Sequence, residues 1–359
     1  MQTRIIDGLD GLNALRTAWE ALESATFYPT QQFIWAQACA STFNGNGQLH
    51  IVVLEEAGRT IAIAPLVRYY GKSHFECLGE AELYEPTDLI YAGREALWVL
   101  ASALANLGFP ILLKRMSADS LVASALEKAS LHRGVLISRQ TDGTPWIPLN
   151  RDWVNPENHL NAGRRSDLRR AQRIAEKMGS VSSEIVTPTL LTLTPLLDEA
   201  FAVEEASWKG ESKSALSLDP LRGRFYRQYA AAACRKGILR LCFLRIGGQS
   251  AAMQIAIESE GRFWLLKIGY DNHFARCSPG ILLLRDTLRY AAINRLSSLE
   301  FLGTVEPWIR VWSPLERPCF TLHRYPLGMR GVTALAEDVM KSAWHKISQV
   351  RGTLHAARS

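Results

Sequence analysis

Apolar and polar positions alternate in two similar blocks of the chain. "LHIVVLEEAGRTIAIAPLVRYY" (residues 49–70) predicts a strand, an Ala-Gly turn and a second strand, and "LRLCFLRIGGQSAAMQIAIES" (residues 239–259) predicts the same plan around Gly-Gly. Each block follows a stretch of helical character, residues 31–42 and 221–236, which suggests a distant internal duplication. In the second half the pattern continues through a Glu260-Gly261 turn into "RFWLLKIGYD", a helix opening at Ser278 and a strand over residues 299–303. The first half offers matching later parts: strands over 74–78, 111–115 and 135–139, and helices over 95–107 and 118–132. This order of helix, antiparallel meander, helix and strand belongs to an α+β fold rather than to an alternating βα array. "DGTPWIPLN" punctuates the chain and puts a boundary near Asn150, so the expected organisation is residues 1–150, 151–332 and a helical tail over 333–359.

The stretch "LLKIGYDNHFARCSPGILLLRDTLRY" (residues 265–290) passes from strand to helix across a polar loop. Ser278 suits a helix N-cap and Pro279 the first helical position, while Ile281, Leu284, Leu288 and Ala291 form an apolar stripe. Amides of an uncovered first turn, with Gly280 permitting close approach, suit a phosphate or pyrophosphate. The same residues also make an ordinary capped helix. Gly269, near the strand end, points to a bulge or to a ligand lying against the backbone.

At 359 residues and 47% hydrophobic content, the chain is long enough for two domains with cores of their own. It shows no signal peptide and no uncharged apolar run of the roughly 20 residues a membrane span needs, so a soluble protein is expected. Six cysteines lie scattered without CxxC or His-paired spacing, which suggests a cytoplasmic location and no structural zinc. A net charge of +6 is compatible with an anionic ligand, an acidic carrier protein, RNA or an anionic surface. Arg165, Arg169, Arg173 and Lys177 recur at four-residue steps on one helical stripe, although Asp167 and Glu176 dilute its field. That stripe is a candidate for a nucleotide's ribose phosphate, an acidic acyl carrier protein, tRNA or an anionic lipid surface; without interleaved aromatics it is no single-strand platform, and no DNA partner is expected.

Three segments carry a family resemblance: "EEASWKG" (residues 204–210), "LKIGYDNHFARCSPGILLL" (residues 266–284) and "LEFLGTVEPWIRVW" (residues 299–312). With "FYPTQQFIWAQA" (residues 27–38) and Pro65-Leu66, they resemble the GNAT-related N-acyltransferase family that includes CelD-like acetyltransferases, distantly similar to the FemAB aminoacyltransferases. The resemblance implies tandem GNAT-like subdomains, each a mixed, mostly antiparallel sheet flanked by helices, the first degenerate and the second binding the acyl donor. It implies acetyl-CoA or another acyl-CoA as co-substrate, no metal, and an amine acceptor such as an amino sugar, amino acid or polysaccharide precursor. Lys267, Ile268 and Gly269 on a splayed strand, with Ser278, Pro279, Gly280 and Ile281 at the helix start, become the donor-binding set. Two departures stand out. "ARCSPG" replaces the usual phosphate loop, and Ile309 followed by Arg310 occupies the place where the family carries a lysine.

Such chemistry needs a neutral amine, donors for the developing oxyanion and a proton for the leaving thiolate. Asp271 is the candidate general base or amine-orienting carboxylate, with a loop-capping aspartate as the ordinary alternative. Tyr270 is the candidate proton donor, with packing as its alternative. Lys267 either snorkels or faces the cleft. Lys209 completes the catalytic candidates, and Trp208, Asp88, Trp308 and Arg310 are the substrate-binding ones. Trp208 and Lys209 are also compatible with a solvated helix face, and Asp88 with ordinary turn chemistry. Cys277, His273 and His323 have no spacing that marks a nucleophile or a metal ligand. Two other functions remain open: an aminoacyl-tRNA-dependent transferase of FemAB type, and a non-catalytic protein on a degenerate GNAT fold.

Overall fold

The computed structural model describes residues 1–43, 45, 47–207, 216 and 218–340. Strands β1 (Gln2–Ile6), β2 (Gly47–Glu56), β3 (Arg59–Tyr69), β4 (Phe75–Cys77), β5 (Ile90–Tyr91), β6 (Ile111–Ser117) and β7 (Gly134–Pro148) arise from the first half. The second half supplies β8 (Val181–Val186), β9 (Leu239–Ile246), β10 (Gln249–Ser259), β11 (Arg262–Tyr270), β12 (Ser298–Phe301) and β13 (Glu316–Pro326). They form one sheet in the order β1-β2-β3-β4-β6-β13-β7-β12-β11-β10-β9-β8, with β5 beside β3. Helices flank this mostly antiparallel mixed sheet, which is the α+β class expected.

The three hairpins turn where the sequence places them. Ala57-Gly58, Gly247-Gly248 and Glu260-Gly261 all have positive φ at both central positions, the backbone twist that suits two antiparallel strands. Within each half the same parts recur. A helix (Phe33–Phe43 or Pro220–Arg235) precedes a hairpin (β2-β3 or β9-β10), and a later strand pairs in parallel with one beyond a helix: β4 with β6, and β11 with β12. The two preceding helices pack on each other through Trp35, Phe43, Phe225 and Tyr229, with ring centroids 4.9–5.8 Å apart. Edge-to-face and stacked aromatic pairs of this kind add roughly 0.5–1.5 kcal/mol each beyond area burial.

Two strands connect the halves. β7 pairs with β13 over most of its length and with β12 through Trp146, Ile147 and Pro148. β13, from residues after the second repeat, inserts between β6 and β7, so a strand from outside residues 1–150 completes the sheet of the first half. Its registers place Leu322 opposite Leu113 and Ser138, and Leu322 joins the core with Leu100, Leu113 and Leu126. The chain is helical again over residues 329–340. Among the described residues no helix is long and apolar enough to cross a membrane.

Candidate functional site

The site lies where β11 and β12 part. They pair in parallel from Arg262↔Ser298 to Leu265↔Phe301, and β11 then runs on to Tyr270 while β12 ends. A bulge coincides with the parting: Ile255 of β10 faces Lys267 and Ala256 faces Leu265, leaving Leu266 as the extra residue. A bulge bends its strand and re-aims the side chains around it, so the two limbs form a fork.

A cavity of about 610 Å³ opens beside the fork. Its walls bring together Ile268, Gly269, Tyr270, Ser278, Pro279, Gly280, Ile281 and Trp308, eight of the residues singled out from the sequence. Met253, Leu283, Ser207, Glu306 and Gln254 complete much of the lining. Gln254 is only 3% exposed and takes a hydrogen bond from the buried Thr287 hydroxyl at 2.7 Å, which fixes its amide at the cavity wall. Sequence reasoning passed over it, although a lone polar residue in "AAMQIAI" is a legible signal because unpaired polar groups are rare in cores.

The helix start differs in detail from expectation. Ser278 stands at the N-cap position of the helix Pro279–Ile293, but its backbone is left-handed (φ 47°) and its side chain makes no capping bond. Its carbonyl instead accepts from Ile281 N–H at 3.0 Å and Leu282 N–H at 3.3 Å, closing the first turn. The Gly280 amide donates to no described residue. A Cβ added at Gly280 would meet only Tyr270 Cδ1, at 3.9 Å, so the approach to this turn is open. Of the predicted stripe, Leu284, Leu288 and Ala291 are buried, and Ile281 turns toward the cavity instead.

Gly269 lines the cavity and has a packing reason as well. A Cβ there would lie 3.1 Å from Glu204 Cα and 3.2 Å from Met253 Cε, so glycine lets the helix Leu190–Glu205 approach β11. The bulge sits three residues earlier. Asp271 does not line the cavity. Its carboxylate accepts from His273 N–H at 2.8 Å and caps the short helix Asn272–Cys277. Cys277 is buried within that turn with its thiol on the Phe274 carbonyl at 3.1 Å, and burial pushes its pKa up.

The remaining candidates disperse. Lys267 is half-buried, its Nζ 5.4 Å from the Tyr226 ring, on the side of the fork away from the cavity that Ile268 lines. Arg310 is exposed and outside the cavity lining. Asp88 belongs to a separate cavity of about 250 Å³ with Tyr28 and Ser120; burial raises its carboxyl to about 7 against hydrogen bonds from Ser120 Oγ and Leu89 N–H. Trp208 and Lys209 lie outside the described residues. Along the helix Ala162–Met178, Arg169, Arg173 and Lys177 are exposed, whereas Arg165 turns back to the Leu160 carbonyl at 2.6 Å.

A parallel strand pair that parts at a bulge, followed by a helix whose first turn faces the gap, is the arrangement of a GNAT-like fold. The comparisons with known proteins agree. Residues 162–310 match the family model described as an acetyltransferase (GNAT) domain. FemX shares the fold at 12% identity, covering 91% of this chain and 98% of its own (TM-score 0.56). The DUF2156 C-terminal domain of an Agrobacterium fabrum protein does so at 11% identity, covering 92% and 96% (TM-score 0.57), and L-PGS from Bacillus licheniformis at 11%, covering 84% and 90% (TM-score 0.53). No curated protein matches the chain significantly in sequence.

Proposed function

We propose that the chain is an N-acyltransferase that moves an acetyl or longer acyl group from a CoA thioester to a primary amine of an amino sugar, amino acid or envelope precursor. One observation carries this reading: the fork between β11 and β12 leads into a cavity that ends at an open first helical turn with the Gly280 amide facing no described partner. Helix-terminal amides and the positive end of the helix dipole favour a phosphate group. Met253, Ile268, Ile281 and Trp308 offer apolar walls for a pantetheine arm, and Gln254 offers a fixed polar group within them. The donor supplies an activated carbonyl and a thiolate leaving group. Tyr270, on the cavity wall, holds a hydroxyl proton for that leaving group, and Asp271 keeps the loop between strand and helix in place.

Thermal unfolding with CoA or acetyl-CoA tests the reading. A ligand at one hundred times its dissociation constant adds about 2.7 kcal/mol of stability. A concentration-dependent rise in Tm is expected, and its absence with both ligands would overturn the proposal.

The exposed Arg169, Arg173 and Lys177 support a second reading in which the donor is an aminoacyl-tRNA. That reading expects RNA binding that weakens steeply with salt and with Arg169→Glu. Salt-insensitive behaviour removes it.

A further inference from the structure

Glu85 lies in the first half, outside every segment that pointed to the site, yet Arg115 links it to the fork. Its neighbour Arg115, at the β6 position and 1% exposed, gives four of its five N–H donors to carbonyls: Tyr84 at 2.7 Å, Asp142 at 3.3 Å, Gly143 at 3.3 Å and Gly303 at 3.1 Å. Gly303 stands two residues beyond the end of β12, so Arg115 is tied to one limb of the fork. Lys267, on the other limb, acts electrostatically on the same Glu85 carboxyl. Arg222, the third cation facing it, donates to the Glu82 carbonyl at 2.7 and 3.0 Å, and the Tyr226 hydroxyl also feels the Glu85 charge.

These contacts leave one oxygen of the Glu85 carboxylate without a hydrogen bond. Its side chain is 14% exposed, its Oε2 is buried without a hydrogen bond, and Arg115 Nη1 stays 3.9 Å away. A buried carboxylate oxygen without a donor is costly, which makes this group a receptor for a cation that brings N–H donors. Successive strand residues face opposite sides of a sheet. Ile268 lines the donor cavity, and its neighbour Lys267 turns instead to the Tyr226 ring, 5.4 Å from Nζ, while Arg115 joins Glu85 to the β12 limb at Gly303. The Glu85 carboxylate is thus held next to the fork by Arg115, outside the donor cavity lining.

We infer that Glu85 binds the ammonium group of the acceptor and takes its proton, beside the fork. The inference rests on the acyltransferase reading above and names the acceptor side of the same site. In the balanced step, Glu85 removes one proton from the ammonium, the freed nitrogen forms the C–N bond with the thioester carbonyl carbon, the C–S bond breaks, and a second nitrogen proton leaves with the sulfur as thiol. Burial raises the Glu85 carboxyl to about 7, against the pull of Arg115, Lys267 and Arg222, which suits a base near neutral pH.

The test compares the full chain with Glu85→Gln and Glu85→Asp, using acetyl-CoA and two nucleophile classes: primary amines (glucosamine, ethanolamine, lysine) and hydroxylamine, which is already neutral at pH 7. Thiol release is the readout of turnover, and CoA-induced stabilisation is measured separately for each protein. Loss of a general base costs about 10²- to 10⁴-fold. Glu85→Gln is expected to lose that much with an amine, to change little with hydroxylamine, and to lose the wild-type rate limb near pH 7; Glu85→Asp is expected to recover part of the rate. Equal loss with both nucleophiles, or unchanged amine turnover, overturns the inference while CoA stabilisation leaves the acyltransferase reading standing. No CoA stabilisation in the wild type, or no turnover of any amine, overturns both.

Discussion

The molecule contains two forks of the same topology, and they are filled differently. In the C-terminal half β11 and β12 part after Leu265↔Phe301, and a cavity of about 610 Å³ lies beside them. In the N-terminal half β4 and β6 pair only through Phe75↔Ile111 and Glu76↔Leu112 before they part. There the Glu80 carboxylate, 4% exposed, accepts from Cys77 N–H at 3.1 Å and Lys114 N–H at 2.6 Å. It bridges the two strands with the acceptors that a third strand or a ligand would otherwise bring. Burial raises the Glu80 carboxyl to about 8 against the attraction of Lys114. The comparison teaches that strand divergence alone is not a site. It becomes a candidate where a cavity lies beside the parted strands, as it does at β11 and β12.

Filling the open fork should have the largest effect. Gly280→Val places a branched side chain where Gly280 now has open space, and CoA affinity by calorimetry is expected to fall by about 100-fold, or roughly 2.7 kcal/mol. Unchanged affinity would mean that this turn does not hold the donor. Emptying the closed fork is the converse change: Glu80→Ala leaves two buried amides without partners, at about 1–3 kcal/mol each. Urea denaturation at pH 6 should register that loss, while CoA binding by the other fork stays within error.

Three buried carboxyls also make stability depend on pH. Glu80, Glu85 and Asp88 are raised to about 8, 7 and 7 by burial, from ordinary values of 4.5, 4.5 and 3.8. The folded protein therefore binds more protons than the unfolded chain across this window, and stability declines as pH rises from about 4 to 8. Tm should be several degrees higher at pH 5.5 than at pH 8.5, and Glu85→Gln should flatten part of that slope. The smallest effect belongs to Asp271→Ala, which removes a cap worth about 1 kcal/mol and should leave turnover nearly intact. A loss of turnover as large as that expected for Glu85→Gln would return Asp271 to the reacting centre.

The local order of the chain fixes much of this picture. Alternation and Gly-containing turns specify the hairpins, because two positive φ angles in succession admit few sequences. Pro279 and the apolar stripe behind it announce the helix that faces the fork. Ile268, Gly269, Tyr270 and Ser278 through Ile281 meet in one cavity because a strand and the helix after it share an end.

Other features depend on parts of the chain that meet only in three dimensions. The place of β13 between β6 and β7 follows from sheet pairing some two hundred residues from β6, which no periodicity within "ERPCFTLHRYP" records. Gly269 answers to the backbone of a neighbouring helix, and Asp271 to an amide two residues ahead rather than to the cavity. Glu85 gains its meaning from Arg115, Gly303 and Lys267, none of them near it in the chain. Sequence by itself determined which segments become strands, turns and the fork-facing helix, since those depend on neighbouring dihedrals and on alternation of polarity. Tertiary structure alone decided how each fork is filled and which carboxylate lies beside β11 and β12, since burial and hydrogen-bond satisfaction are properties of groups brought together from distant parts of the chain.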